Sequence, residues 1–299
     1  DWRIHADLAQ ALIAIARRLY AGDGFGIELA NTVYALDATT IDLCLTLFPW
    51  APFQRSKAAV KLHTLLDLRG NIPAFIHITG ARWRDSWVLD ELVPEPGAFY
   101  VMDRGYIDFA RLHDLNLSGA FFVVRGRANF RFRRLYSHAV EKQTGLRCDQ
   151  TIRTAGANST ADYPTKLRRI TYRDDESGKR FTFLTNNFDL PALTVARLYK
   201  CRWQIELFFK ALKQNLKIKT FVGTSANAVK IQVWTALLAM LILRYLQLKS
   251  KFAWSLSNLV ALLRMNLFTY RDLWAWLDKP FGIPSQPEPI PQQEVLAFV

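Results

Sequence analysis

Tyr199, Arg202, Glu206 and Lys213 stand three, four and seven positions apart in the stretch PALTVARLYKCRWQIELFFKALKQNL, residues 191–216. On a helix of about 100° per residue they fall within about 60° of one another, with Lys210 beside them. Leu198, Ile205, Phe208, Phe209 and Leu212 cover much of the remaining surface. A helix this apolar must be mostly buried, so its polar stripe either lines a groove or forms a well-paired core face. Pro191 at the first turn, with no later Gly or Pro, predicts one unbroken helix. The stripe suits phosphate chemistry. Arg202 can grip a phosphate bidentately and Lys213 as a point charge, while Tyr199 can donate to a phosphate or stack on an unpaired base.

Two more carboxylates complete a set that Glu206 begins. Asp37 lies in the apolar run TVYALDA, where an unpartnered carboxylate is costly. Asp103 ends the run AFYVMD just before Arg104-Gly105; its alternative role is to cap the helix that follows. Three converging carboxylates cannot all stay ionised unless cations neutralise them. Oxygen donors with no nearby His or Cys favour magnesium, or manganese, over zinc. Two such ions, about 3.5–4 Å apart, would activate an attacking hydroxyl and stabilise the leaving oxygen of a phosphodiester. The metal ligands expected are Asp37, Asp103 and Glu206.

The elements that must position these groups follow from hydrophobic periodicity. Residues 7–20 have a helical period, and GDGFG (22–26) then reads as a turn. Residues 32–38 read as a strand ending near Asp37. Residues 58–68 and 72–78 alternate around Arg69-Gly70-Asn71, an antiparallel hairpin. A short helix (83–92), a strand (98–102), a helix (107–115) and a strand (120–125) come next. If the first and fourth strands are neighbours, Asp37 and Asp103 face each other. That is the core of a ribonuclease-H-like α/β fold, a mixed sheet with flanking helices. The organisation expected is an N-terminal helix and turn (1–30), a first part of the core (31–125) and a small β-rich insertion (126–187). The catalytic Glu helix and a C-terminal helical layer (188–279) and a disordered Pro-rich tail (280–299) complete it. Within the insertion, Arg125, Arg127, Arg131, Arg133 and Arg134 surround Phe130 and Phe132, a basic ribbon suited to a DNA backbone or simply to solvent.

Composition agrees with a polyanion partner. The 299 residues carry 39 Lys+Arg against 26 Asp+Glu, a net charge of +13, on a chain that is 51% hydrophobic. Such a chain builds a large core, and its charge points first to nucleic acid. Cys44, Cys148 and Cys201 are odd in number and far apart, which excludes a zinc pattern or disulfide framework and predicts a reducing compartment. The start, DWRIHADLAQ, is no signal peptide; lacking Met, it predicts a segment upstream. The apolar run 233–243 is too short to span a bilayer and is expected as a buried helix, with no membrane partner. His63, His77 and His113 are expected to pack, Asp42 to cap or face solvent, Asp108 and Asp114 to lie on a helix face. Trp254, Trp274 and Trp276 are expected in the core, and Trp203, next to the polar stripe, either in the core or in touch with DNA.

The pattern Tyr199-x2-Arg202-x3-Glu206-x6-Lys213 resembles the Tyr-Arg-Glu-Lys signature of bacterial insertion-sequence DDE transposases of family four. Asp37 in YALDATTIDL and Asp103 in YVMDRGYIDF resemble that family's two catalytic aspartates, and the likeness covers about residues 31–216. The resemblance implies a cut-and-paste DNA transposase that cleaves and joins phosphodiester bonds at the element's ends, through a hairpin in characterised relatives. It further implies double-stranded DNA as partner, a synaptic homodimer, and a bacterial, cytoplasmic and nucleoid-associated setting. Arg202 and Lys213 would hold phosphates, Tyr199 a flipped nucleotide, and one of Phe130, Phe132 or Tyr136 would act as the wedge. Two other readings use the same residues: a truncated or domesticated remnant that binds DNA without cutting it, and a structure-specific nuclease that cuts without joining.

Overall fold

The computed structural model describes residues 1–20, 26–215 and 221–282. Most of the expected 22–26 turn, the last residue of the 191–216 helix and nearly all of the 280–299 tail lie outside them. The chain divides into two units, 1–238 and 239–299, the second described as far as residue 282.

In the first unit, helix α1 (Trp2–Tyr20) precedes strands β1 (Val33–Leu43), β2 (Pro52–Gln54), β3 (Lys57–Asp67) and β4 (Ile72–Gly80). The β3–β4 hairpin turns where expected, with Asn71 at φ 50°, a left-handed conformation that Asn tolerates. Gly70 is required there, because a Cβ on it would meet the Tyr20 ring at 2.4 Å. β5 (Phe99–Met102), α2 (Phe109–Leu117) and β6 (Phe121–Arg125) follow, then β7 (Phe132–His138), β8 (Leu146–Thr154), α3 (Ala157–Asp162), β9 (Leu167–Arg173) and β10 (Arg180–Thr185). α4 (Ala192–Cys201), α5 (Trp203–Asn215) and α6 (Ala226–Lys249) come last in this part of the chain.

All ten strands join one mixed sheet in the order β2-β3-β1-β5-β6-β10-β9-β8-β7, with β4 on β3. Only β1–β5 and β5–β6 are parallel. In the segment 126–187, β10 pairs antiparallel with β6 and extends the central sheet outward, and the helix α3 stands beside its strands. β1 runs past its expected end to Leu43, because β3 pairs with it along its whole second half. Residues 85–91 form a 3-10 helix instead of an α-helix. The core beside the site is built from Leu36, Tyr100, Met102, Tyr106, Phe122 and Leu184.

The segment 191–216 is interrupted. α4 ends at Cys201 and α5 begins at Trp203, with Arg202 between them as the cap of α4. The Arg202 N–H donates to Tyr199 O and the Ile205 N–H to Arg202 O, both 3.1 Å i→i−3 bonds that tighten the turn. Pro191 is the residue before the first turn, with ψ 138°.

α6 carries the apolar run within 24 residues, long and apolar enough by length and composition to cross a membrane, with 44% of its most apolar window buried. In the second unit, α7 (Leu256–Met265) and α8 (Leu273–Asp278) pack Trp254 and Trp276 against Leu259 and Leu277. Trp274, expected in the core, is 43% exposed and Trp203 57%, so neither is a core residue.

Candidate active site

Parallel pairing of β1 with β5 aligns Leu36 with Met102. The next residue on each strand is an aspartate, so Asp37 and Asp103 emerge side by side at the C-terminal end of β5. Asp37 is mid-strand in β1, opposite Thr64 of β3. α4 lies against β5 and β6, and α5 against β1. The helix break at Arg202 thus sits over the two aspartates.

Arg202 is the hub. Its guanidinium donates to Asp37 Oδ2 at 2.5 Å and to Glu206 Oε1 at 2.7 Å. Tyr199 completes the connection, its hydroxyl donating to Asp103 Oδ1 at 3.4 Å while its ring lies 4.7 Å from that of Phe183. Lys213 Nζ donates to Thr40 O at 2.9 Å, tying α5 to β1. All four signature residues and both aspartates are brought to one place. Lys210 is exposed and makes no part of it.

Asp37 accepts a second hydrogen bond, from the Ala38 N–H at 2.8 Å. Burial nonetheless outweighs that bond and the Arg202 charge. With Asp103 and Glu206 adding repulsion, the Asp37 carboxyl is pushed up to about 6. Burial opposes the charge on Arg202 too, yet Asp37 and Glu206 together raise its pKa further.

Among the described residues, no three His, Cys, Asp or Glu side chains are gathered closely enough to hold one metal ion as they stand. The Arg202 guanidinium bonds to both Asp37 and Glu206. Asp37 and Glu206 meet on the Arg202 guanidinium and Asp103 is joined to them through Tyr199, an all-oxygen donor set of the type that hard divalent cations prefer.

The basic residues divide. Arg125 and Arg127 line a cavity of about 230 Å³ with Arg104, Arg169 and Arg180, none of which has a carboxylate partner among the described residues. Arg125 lies over Phe181, and Arg169 lies over Phe132 while donating to Gln150 Oε1 at 2.8 Å, so stacking and a neutral hydrogen bond rather than ion pairing hold these two guanidinium groups. Arg131 and, on the edge strand β7, Arg133 and Arg134 are exposed. Phe130 and Phe132 stack on each other against the core, whereas Tyr136 is 61% exposed.

Several residues near the site were not singled out by spacing. Asp85 accepts from Lys61 Nζ at 2.8 Å, and its carboxylate lies against Gly105. Arg168 pairs with the buried Asp149 and donates to Leu190 O at 2.6 Å, fixing the loop that opens α4. A lone Asp in RWRDSW carries no signal, and no local pattern sets Arg168 apart from its basic neighbours. Asp108 is not a helix-face residue but the cap of α2, accepting from the Arg111 N–H, a position that its place before the helical run could have disclosed.

Carboxylates drawn from two strands and a helix, beside basic side chains, are a set with which phosphoryl transfer can be carried out. Residues 29–242 match the transposase DDE domain. The chain belongs to that family of metal-dependent DNA-cleaving and strand-transferring transposases. It is 32% identical over 270 residues to a putative transposase, y4zB, of Sinorhizobium fredii, covering 88% of this chain and 75% of that one. A probable transposase of insertion sequence element IS5377 from Geobacillus stearothermophilus is 32% identical over 75% of this chain and 59% of its own length. A putative transposase of insertion sequence element IS4SA from Synechocystis is 28% identical over 72% and 60%. The chain thus spans about three fifths of the length of the last two. Of solved structures, the piggyBac transposase synaptic complex with hairpin DNA aligns over 85% of this chain and 54% of that one, at a TM-score of 0.45 and 12% identity.

Proposed function

We propose that this chain cleaves the ends of a mobile DNA element and joins them to target DNA, as a cut-and-paste transposase of the Tyr-Arg-Glu-Lys group of family four. The observation that supports it most is the meeting of Asp37 and Glu206, remote in the chain, on one guanidinium, with Asp103 alongside through Tyr199. We read the antiparallel β1-β3-β4 with parallel β5 and β6 as a ribonuclease-H-like core, into which residues 126–187 are inserted.

Asp37, Asp103 and Glu206 are the catalytic residues, and magnesium or manganese, as two ions, is their cofactor. The bound ions would offset the negative charge that builds on the reacting phosphodiester. In this reading Arg202 has two positions. Without DNA it neutralises Asp37 and Glu206; with DNA it turns to a phosphate beside the scissile bond, and the break between α4 and α5 lets it turn. Lys213 holds a second phosphate, and Tyr199 keeps Asp103 oriented. Arg125, Arg127, Arg131, Arg133 and Arg134 follow the DNA backbone, and Tyr136 is the aromatic side chain free to enter the duplex. The partner is double-stranded DNA, the working form a homodimer, and the setting the bacterial cytoplasm at the nucleoid.

A strand-transfer assay with a pre-cleaved 3′-OH end and magnesium tests this. Joined product is expected. Hydrolysis without joining would favour a structure-specific nuclease, and bound but unreacted DNA a non-cutting remnant.

A further inference from the structure

One buried group beside the carboxylates has no use in the conformation described. Tyr106 closes the short 3-10 turn Arg104–Tyr106, and its N–H donates to Asp103 O at 3.1 Å. Its ring is 2% exposed and shares a cluster with Leu36 and Met102, the residues just before the two aspartates. Its hydroxyl is buried and has no hydrogen-bond partner. Such an orphan is a cost to the fold, and a Phe ring would fill the same space without it. Burial, with the charges of Asp37, Asp85 and Asp103, pushes the phenol well above its usual range, so it remains an O–H donor.

Both Asp37 oxygens are occupied here, Oδ1 by the Ala38 N–H and Oδ2 by Arg202. The Nε of Arg202 is itself buried without a partner, so this guanidinium is incompletely satisfied where it stands. When it departs, Oδ2 loses its donor. We propose that Tyr106 is a positioning residue for Asp37, its hydroxyl donating to the Asp37 carboxylate once Arg202 releases it and holding that carboxylate in place to bind a divalent ion. Ligating carboxylates are commonly fixed by such outer hydrogen bonds, and their loss weakens metal binding by about 10–100-fold. The inference rests on the reading above, in which Asp37 binds metal after Arg202 has turned away.

The test is a Mn2+ titration of the full chain, with free Mn2+ followed by electron paramagnetic resonance, for wild type, Tyr106→Phe and Asp37→Asn. Metal-free melting is recorded alongside. Tyr106→Phe is expected to melt at or above wild type without metal, yet to bind Mn2+ about tenfold more weakly. Wild-type Mn2+ affinity in Tyr106→Phe, while Asp37→Asn loses binding, overturns the role of Tyr106 alone. A metal-free melting point several degrees below wild type also overturns it, because the hydroxyl would then serve the metal-free fold. Unchanged Mn2+ binding in Asp37→Asn overturns the carboxylate site itself.

Discussion

Replacing Arg202 by Met keeps the aliphatic stem and removes the guanidinium that joins Asp37 to Glu206. The Glu206 side chain is 37% exposed, so its bond contributes only a few tenths of a kcal/mol. Asp37 decides the size of the effect. Its carboxyl titrates at about 6 with Arg202 present, and Arg202 is the largest influence holding it down. Without the guanidinium its pKa rises further, and at pH 7.5 it can escape its burial by taking up a proton. The stability lost is therefore limited to the free energy of protonating wild-type Asp37 at that pH, about 1.5 units or about 2 kcal/mol. At pH 5.5 the wild-type group is already largely neutral, and the same replacement should lose under about 0.5 kcal/mol. Sign and window follow: a carboxyl raised in the fold contributes stability below its unfolded value that is lost as pH rises through about 6. Removing Arg202 deepens that loss. For a unit of residues 1–238, metal-free melting should drop by about 4–8 °C at pH 7.5 and by about 1–2 °C at pH 5.5. Equal drops at both pH values, or none at 7.5, would refute the reasoning.

His63 is fully buried and its pKa is pushed down to about 4 by burial, with Lys61 and His77 assisting. Its neutral form therefore contributes about 3 kcal/mol above pH ~6.5 that disappears on acidification through about 4. Melting curves from pH 7 to 4 should be shallower for His63→Gln, and parallel curves would reject this. Asp149→Ala leaves Arg168 buried and unpaired, so it should destabilise by about 3–5 kcal/mol and lower melting by roughly 10 °C. A change of a degree or two would mean that the pair does not form. Arg133→Gln should reduce the slope of log affinity for duplex DNA against log salt by about one, without altering sequence preference. An unchanged slope removes that side chain from the DNA path.

Much of the site was legible because its chemistry is written in local runs. Apolar strands that each end or pass through one aspartate, and a helical stripe of Tyr, Arg, Glu and Lys, need only periodicity to be read. The sheet order then follows from β1 pairing in parallel with β5. What escaped depends on tertiary context. The break at Arg202 contradicts the helix propensity of its segment and is made where the side chain reaches two carboxylates. β7 is an arginine-rich edge strand, whose charges hid its alternation. The extension of the sheet by β10 is a long-range pairing that no local pattern carries. No local pattern marks Tyr106, and only the three-dimensional surroundings of its hydroxyl set it apart.

The claim on which the account depends is that Asp37, Asp103 and Glu206 act together on DNA. Nicking of supercoiled plasmid in magnesium, with Glu206→Gln compared to wild type at equal DNA occupancy, tests it most directly. The account predicts that the variant binds as wild type does and leaves the plasmid intact. Nicking at the wild-type rate would contradict it.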